Sequence, residues 1–300
     1  MKAIKFVMLL IVAVSLFVSC SPKPAGETET EIITAEEALQ LVENNSSAVL
    51  VDTRTMPEYN EGHIEGAVNI SRADIVVMSP HPALLAPPEK IEKNLGRRGI
   101  SNDTLVIAYD ANLMDAPRLW WTLKVYGHDK VKVVSGGYEA LQAAGAALSD
   151  KAPSVTAVEF QAQEADSSML LDAKTVRAHV NEPDQSVVLI DTRSVDEHLQ
   201  GHIPGSLHID YRENCFRDGT FRPVDQIQIR YLEEGIDFDK EIWLYCHTSI
   251  RATPTFLALY NAGYRNIRVY DGAWVEWTAN PMNPVHVPES NIQLQEPDMS

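Results

Sequence analysis

The chain repeats itself, and the repeat limits what it can fold into. Val49-Leu50-Val51-Asp52-Thr53-Arg54 is followed by Glu58 and then by Gly62-His63-Ile64-Glu65-Gly66-Ala67. The same grammar returns 139 residues later as Val188-Leu189-Ile190-Asp191-Thr192-Arg193, Glu197 and Gly201-His202-Ile203-Pro204-Gly205-Ser206. Further on, Ile107-Ala108-Tyr109 pairs with Trp243-Leu244-Tyr245, and Gly136-Gly137 pairs with Asp271-Gly272. Duplication is the economical explanation, and the length suits two domains of ordinary size. The spacing predicts domains over 32–148 and 169–286. A linker over 149–168 joins them, mixed in Ala, Asp, Glu and Ser and carrying Pro153.

Within each unit, short apolar runs alternate with helical patterns. In the second unit Val187–Asp191 and Ile242–Tyr245 read as buried strands, and Ile267 with Val269 as a third. Ala173–Val180 and Ala252–Ala262 read as helices. Pro254 falls in the first turn of the latter, where a missing N–H costs little. Strands interleaved with helices predict the α/β class, each unit a parallel-rich sheet with helices on both faces. Ligands of such sheets bind beyond the carboxyl ends of the strands.

Cys246 stands at that place, in Tyr245-Cys246-His247-Thr248-Ser249-Ile250-Arg251-Ala252. Strand, short loop and helix let successive backbone N–H groups converge on one sulfur at a helix N-terminus. Such a cradle, with Arg251 nearby, favours thiolate over thiol and holds an anionic adduct. A buried structural cysteine is the plainer alternative, but polar residues rather than more core follow this one. The nine histidines show no close ligand spacing, so neither a metal site nor a cofactor is expected. Trp120-Trp121 read as helix core.

The N-terminus carries Lys2 and Lys5, an apolar stretch from Phe6 to Phe17, and Val18-Ser19-Cys20. That is a signal-peptide pattern, too short for a comfortable membrane span. A small residue before a cysteine resembles the bacterial lipoprotein cleavage box. The resemblance implies removal of 1–19, lipidation of Cys20 and a flexible tether over 20–31, and Ser21 resembles sorting to an outer membrane facing the periplasm. Removing two lysines takes the formal charge from −17 to −19. Such an acidic chain has no electrostatic case for nucleic acid or for anionic lipid heads, so membrane contact is expected through the anchor alone. With Cys20 lipidated, Cys215 and Cys246 are too few for a disulfide scaffold, though they could pair with each other. Residues 287–300 read as a loose tail.

The paired Asp-x-Arg … Gly-His-Ile-x-Gly boxes, the Cys246-to-Arg251 loop and Tyr270-Asp271-Gly272-Ala273-Trp274-Val275-Glu276-Trp277 together resemble the tandem rhodanese family. The match covers roughly residues 32–286 and points to the thiosulfate and 3-mercaptopyruvate sulfurtransferases. The resemblance implies a catalytically silent first copy, with Asp110 where the second carries Cys246. It implies sulfur transfer through a Cys246 persulfide, from a small sulfur donor to cyanide or a thiol. His247, Thr248, Ser249, Ile250 and Arg251 would surround the anion, with Arg193, Trp274 and His63 as further substrate contacts. Thiosulfate-specific members carry a basic side chain in the loop and another just beyond Asp-x-Arg, where this chain has neutral loop residues and Glu197. In mercaptopyruvate-type members a loop serine works with a histidine and an aspartate of the first domain, for which Thr248, His63 and Asp52 are the matching positions. A non-catalytic sulfur- or ligand-binding lipoprotein of the same fold is the second reading. A phosphatase-like relative is the weaker third.

Overall fold

The computed structural model describes residues 30–288; the signal, Cys20 and most of the expected tail lie outside them. Each half is built on a five-stranded, all-parallel sheet. In the first the order is Ile32–Ile33, Val131–Val134, Leu105–Tyr109, Ala48–Asp52, Val68–Asn69. In the second it is Leu170–Leu171, Ile267–Tyr270, Glu241–Tyr245, Val187–Asp191, Leu207–His208. The central strands are near-continuous apolar runs with charge only at their ends, as in Glu241, Asp52 and Asp191, which suits strands covered on both faces. Val106 to Tyr109 and Ile242 to Tyr245 are all buried.

Helices follow from local signals. Thr55 with Glu58 and Ser194 with Glu197 form reciprocal capping boxes that start short helices at Met56–Glu61 and Val195–Gln200. Helices Asp115–Val125 and Ala252–Asn261 leave the ends of the two central strands and meet each other. Trp120 of the first packs on Phe256 and Tyr260 of the second, with ring centroids 5.9 and 5.4 Å apart. One hydrophobic core therefore runs through both halves, from Val51 and Trp121 to Leu244 and Phe256. Two aromatic rings in contact beyond simple burial make this junction more than a rim contact.

Residues 150–166 have no regular structure, yet they are not a free linker. The segment returns along the first half, with Val158 N–H bonding Gly96 O, Gln163 N–H bonding Tyr126 O, and Phe160 buried. Gly96 is what allows this approach, because a Cβ there would stand 2.5 Å from the Val158 carbonyl oxygen.

The repeat extends to main-chain hydrogen bonds at the strand ends. Thr53 N–H donates to Tyr109 O and Thr192 N–H to Tyr245 O; Ile70 N–H donates to Asp52 O and Ile209 N–H to Asp191 O. One pairing from the sequence needs correction. Gly136 is the counterpart of Gly272, and Gly137 of Ala273, one residue on from the alignment with Asp271-Gly272. Gly137 and Ala273 share a left-handed φ of 55° and 54°, and the next N–H in each donates to Asp110 O or Cys246 O.

Candidate active site

Each Asp-x-Arg box folds into a buried fork. Arg193 Nη2 reaches Asp191 Oδ2 at 2.6 Å and the Gly201 carbonyl at 2.7 Å, tying the end of a central strand to the Gly-His-Ile turn. Arg54 repeats this with Asp52 and Gly62. Burial would raise the Asp191 carboxyl, but His198 and Arg193 more than offset it and hold it at about 2. Arg193 also lies over the Trp274 ring, 4.3 Å from its centroid, so these two proposed contacts come together beside the loop.

Cys246 follows the last residue of strand Glu241–Tyr245 and is 1 % exposed. The N–H groups of Thr248, Arg251 and Ala252 are directed at its sulfur. Its carbonyl accepts from Trp274 N–H, and that of His247 from Val275 N–H, so the loop is anchored on its far side as well. Burial pushes the Cys246 thiol up; Arg251 and the three amides pull the other way without cancelling it. The expectation that the cradle and Arg251 together favour thiolate outright is thus corrected. The loop stabilises an anion in a place where burial penalises one.

Arg251 has a second partner in Glu197. Arg251 donates to both of its carboxylate oxygens, at 2.6 and 2.7 Å. This pair holds the Glu197 carboxyl down at about 2. The guanidinium expected to serve the sulfur is shared with a carboxylate.

The other proposed loop residues divide. His247 is exposed and Thr248 half-buried at the mouth, while Ile250 is buried and accepts from Thr253. Ser249 is fully buried, with its hydroxyl committed to Asp271 Oδ1 at 2.9 Å and to Arg118 Nη1 at 3.1 Å. His63 is fully buried in the first half, stacked on Tyr59 at 3.8 Å with Nδ1 on the Tyr59 carbonyl. These contacts lie within the first half and not at the Cys246 loop. His202 makes the same arrangement with His198 in the second half. Asp52 is engaged by Arg54 and the Tyr109 hydroxyl, so the structure does not bring it to Thr248.

The first half contains the same loop with a carboxyl group in it. Asp110 takes the sulfur's place, accepting from Leu113 N–H at 3.2 Å and Ala116 N–H at 3.0 Å. Burial raises this carboxyl to about 6 despite those bonds. Cys215 and Cys246 are both free, and burial, followed by Asp110, pushes the Cys215 thiol to about 12. Among the described residues there is no group of three or more His, Cys, Asp or Glu that could hold a metal ion, and no helix long and apolar enough to cross a membrane.

Sequence reasoning missed Arg118 and Asp271, and it treated Glu197 as an absent cation rather than as Arg251's partner. Arg118 is one of two charges, with Lys124, in the otherwise largely apolar helical stretch Ala116–Val125, and it stands just before Trp120 and Trp121, which is the signal that could have found it.

Two duplicated parallel sheets, with a cysteine cradle in one copy and its acidic likeness in the other, define a tandem cysteine-loop protein. The chain belongs to the rhodanese-like domain family, whose model matches residues 34–144 and 172–280. It is 32% identical over 254 residues to the 3-mercaptopyruvate sulfurtransferase of Escherichia coli strain K12, covering 78% of this chain and 88% of that one. It is 34% identical over 248 residues to a putative thiosulfate sulfurtransferase of Mycobacterium leprae, covering 75% and 85%. Among solved structures, the anaerobic ergothioneine biosynthesis enzyme from Chlorobium limicola superposes with a TM-score of 0.77 at 24% identity, over 86% of this chain and 70% of that one. The last likeness speaks to the fold. The family and its curated relatives make this chain a sulfurtransferase, and the non-catalytic reading is set aside.

Proposed function

We propose that Cys246 carries the sulfur as a persulfide between a small donor and a thiol or cyanide acceptor. The observation that carries this reading is the convergence of three backbone N–H groups on its sulfur at the head of helix Ala252–Asn261. The Cys246 thiolate attacks the donor's transferable sulfur, the outer sulfur of thiosulfate or the single thiol sulfur of 3-mercaptopyruvate. A new S–S bond forms, and the donor's bond to that sulfur breaks with its electron pair leaving on the remainder. The acceptor nucleophile then attacks the outer sulfur, and Cys246 departs as thiolate. Fixed amide dipoles and the helix terminus stabilise the anion at both stages without reorganising. Next to Cys246 in sequence, His247 is exposed and Thr248 half-buried, while Arg193 is buried against the Trp274 ring.

The mouth is poor in uncompensated positive charge, because Arg193 is bound to Asp191 and Arg251 to Glu197. A dianion such as thiosulfate therefore gains little there, and a donor with one carboxylate, such as 3-mercaptopyruvate, fits the site's charge better. Incubation with that donor should add the mass of one sulfur, removable by cyanide and absent in Cys246→Ala. The same addition in Cys246→Ala, or on Cys215, would overturn the assignment.

The sequence of the first twenty positions supports a place for the enzyme as well. Lys2, Lys5, the apolar run and Ser19-Cys20 favour a lipid anchor on Cys20, holding it at an outer membrane and facing the periplasm. Wild-type protein should fractionate with membranes and Cys20→Ala with the soluble periplasm. An unmodified N-terminus in the soluble wild-type fraction would exclude the anchor.

A further inference from the structure

Ser249 adopts a left-handed φ of 63° without being glycine. This residue turns the chain so that Thr248 N–H on one side and Arg251 and Ala252 N–H on the other all face Cys246. A side chain in this conformation is strained and persists only where its surroundings enforce it. What enforces it comes largely from the other half of the molecule. Arg118, on helix Asp115–Val125 and fully buried, donates to the Ser249 hydroxyl. It also reaches Asp271 Oδ1 at 2.9 Å and the Ala83 carbonyl at 3.2 Å, and its guanidinium lies over the Trp121 ring at 4.5 Å. Ser249 in turn donates to the same Asp271 oxygen, while Asp271 Oδ2 accepts from Leu85 N–H.

The silent copy provides a control within the chain. Leu113, the counterpart of Ser249, has the same φ of 63°. It too meets the opposite half, its side chain standing where a Cβ on Gly219 would come within 3.3 Å. In both copies the left-handed loop residue is met by a group from across the domain junction.

We propose that Arg118 is a positioning residue for the reaction at Cys246: from the N-terminal half it pins Ser249 in its left-handed conformation and so keeps the loop amides aimed at the sulfur. The proposal rests on Cys246 being the reacting thiol, and it adds a residue that touches neither sulfur nor substrate. A one-sided anchor of this kind explains how a half without a reactive cysteine controls the chemistry of the other.

The intact two-domain protein tests it through a rescue that a merely structural arginine would not show. Arg118→Met should slow sulfur transfer roughly tenfold or more, as small misplacements of catalytic groups do, and shift Cys246 alkylation to higher pH. Glycine takes positive φ without strain, so adding Ser249→Gly to Arg118→Met should recover most of the rate and the alkylation profile, whereas adding Ser249→Ala should not. Equal impairment in both double variants, or an unaltered Arg118→Met enzyme, would overturn the proposal. If Arg118→Met does not fold, Ser249→Ala should be slower than Ser249→Gly in the wild-type background, and the reverse order would overturn it. Transfer that survives Cys246→Ala would instead sink the reading beneath it, independently of these comparisons.

Discussion

Glu197 does two jobs with one carboxylate. It closes the capping box that starts helix Val195–Gln200, and it takes both outer nitrogens of Arg251. Replacing it by arginine would set two guanidinium groups against each other. Glu197→Gln is the informative change, since it frees the Arg251 charge and keeps a hydrogen-bonding side chain. It should lower the Michaelis constant for thiosulfate several-fold and move Cys246 alkylation to lower pH, because a cation near a thiol favours its anion. An unchanged alkylation profile would mean that Arg251 charge never reaches the sulfur. The stability cost should stay near or below about 1 kcal/mol, since the pair is partly exposed and screened. The sign with pH is fixed by the depressed carboxyl. Its contribution is complete above the ordinary glutamate value and fades as pH falls through about 2.

At the scale of elements, the Asp191–Arg193 fork joins the end of a central strand to the next turn and sets Arg193 against Trp274. Asp191→Asn leaves a buried guanidinium without its counterion, which typically costs about 3 kcal/mol. Because the Asp191 carboxyl sits at about 2, its contribution is present above the ordinary aspartate value and lost as acid titrates it. The stabilities of mutant and wild type should therefore converge toward pH 2, measured by denaturant unfolding across pH; a constant gap would assign the loss to packing. Elements of this kind were legible in the sequence. Val187–Asp191 was read with its observed bounds, and the helix after Cys246 ends within one residue of the expected place, because apolar runs and Gly263 mark them locally. The glycine pairing slipped by one, since Gly272 matches either Gly136 or Gly137 by residue type, and only the shared left-handed φ of Gly137 and Ala273 fixes the register. The Arg251–Glu197 and Arg118–Ser249 contacts were illegible for a different reason. They span 54 and 131 residues, and nothing in local periodicity reports a partner so far along the chain.

On the scale of the whole molecule, the two halves cover each other's loops. Leu85 N–H and the Arg118 guanidinium of the first half reach Asp271 and Ser249 of the second, and Phe221 N–H of the second reaches Ser135 of the first. The exchange is not quite symmetric. Fifteen positions separate Ile70 from Leu85 and twelve separate Ile209 from Phe221, so the longer cover lies over the cysteine. The connection between the halves, meanwhile, is exposed from Ser154 to Glu159. A protease given brief access should cut there, and the two fragments should still elute together and transfer sulfur; fragments that separate under native conditions would show that the shared core is weaker than it looks. The reciprocal covers make each half a roof for the other's loop. A first half cut away would take Arg118 and the Leu85 N–H with it and leave Ser249 and Asp271 open to water. The copy that holds Asp110 in place of a cysteine is therefore no spare, but part of what encloses the Cys246 loop.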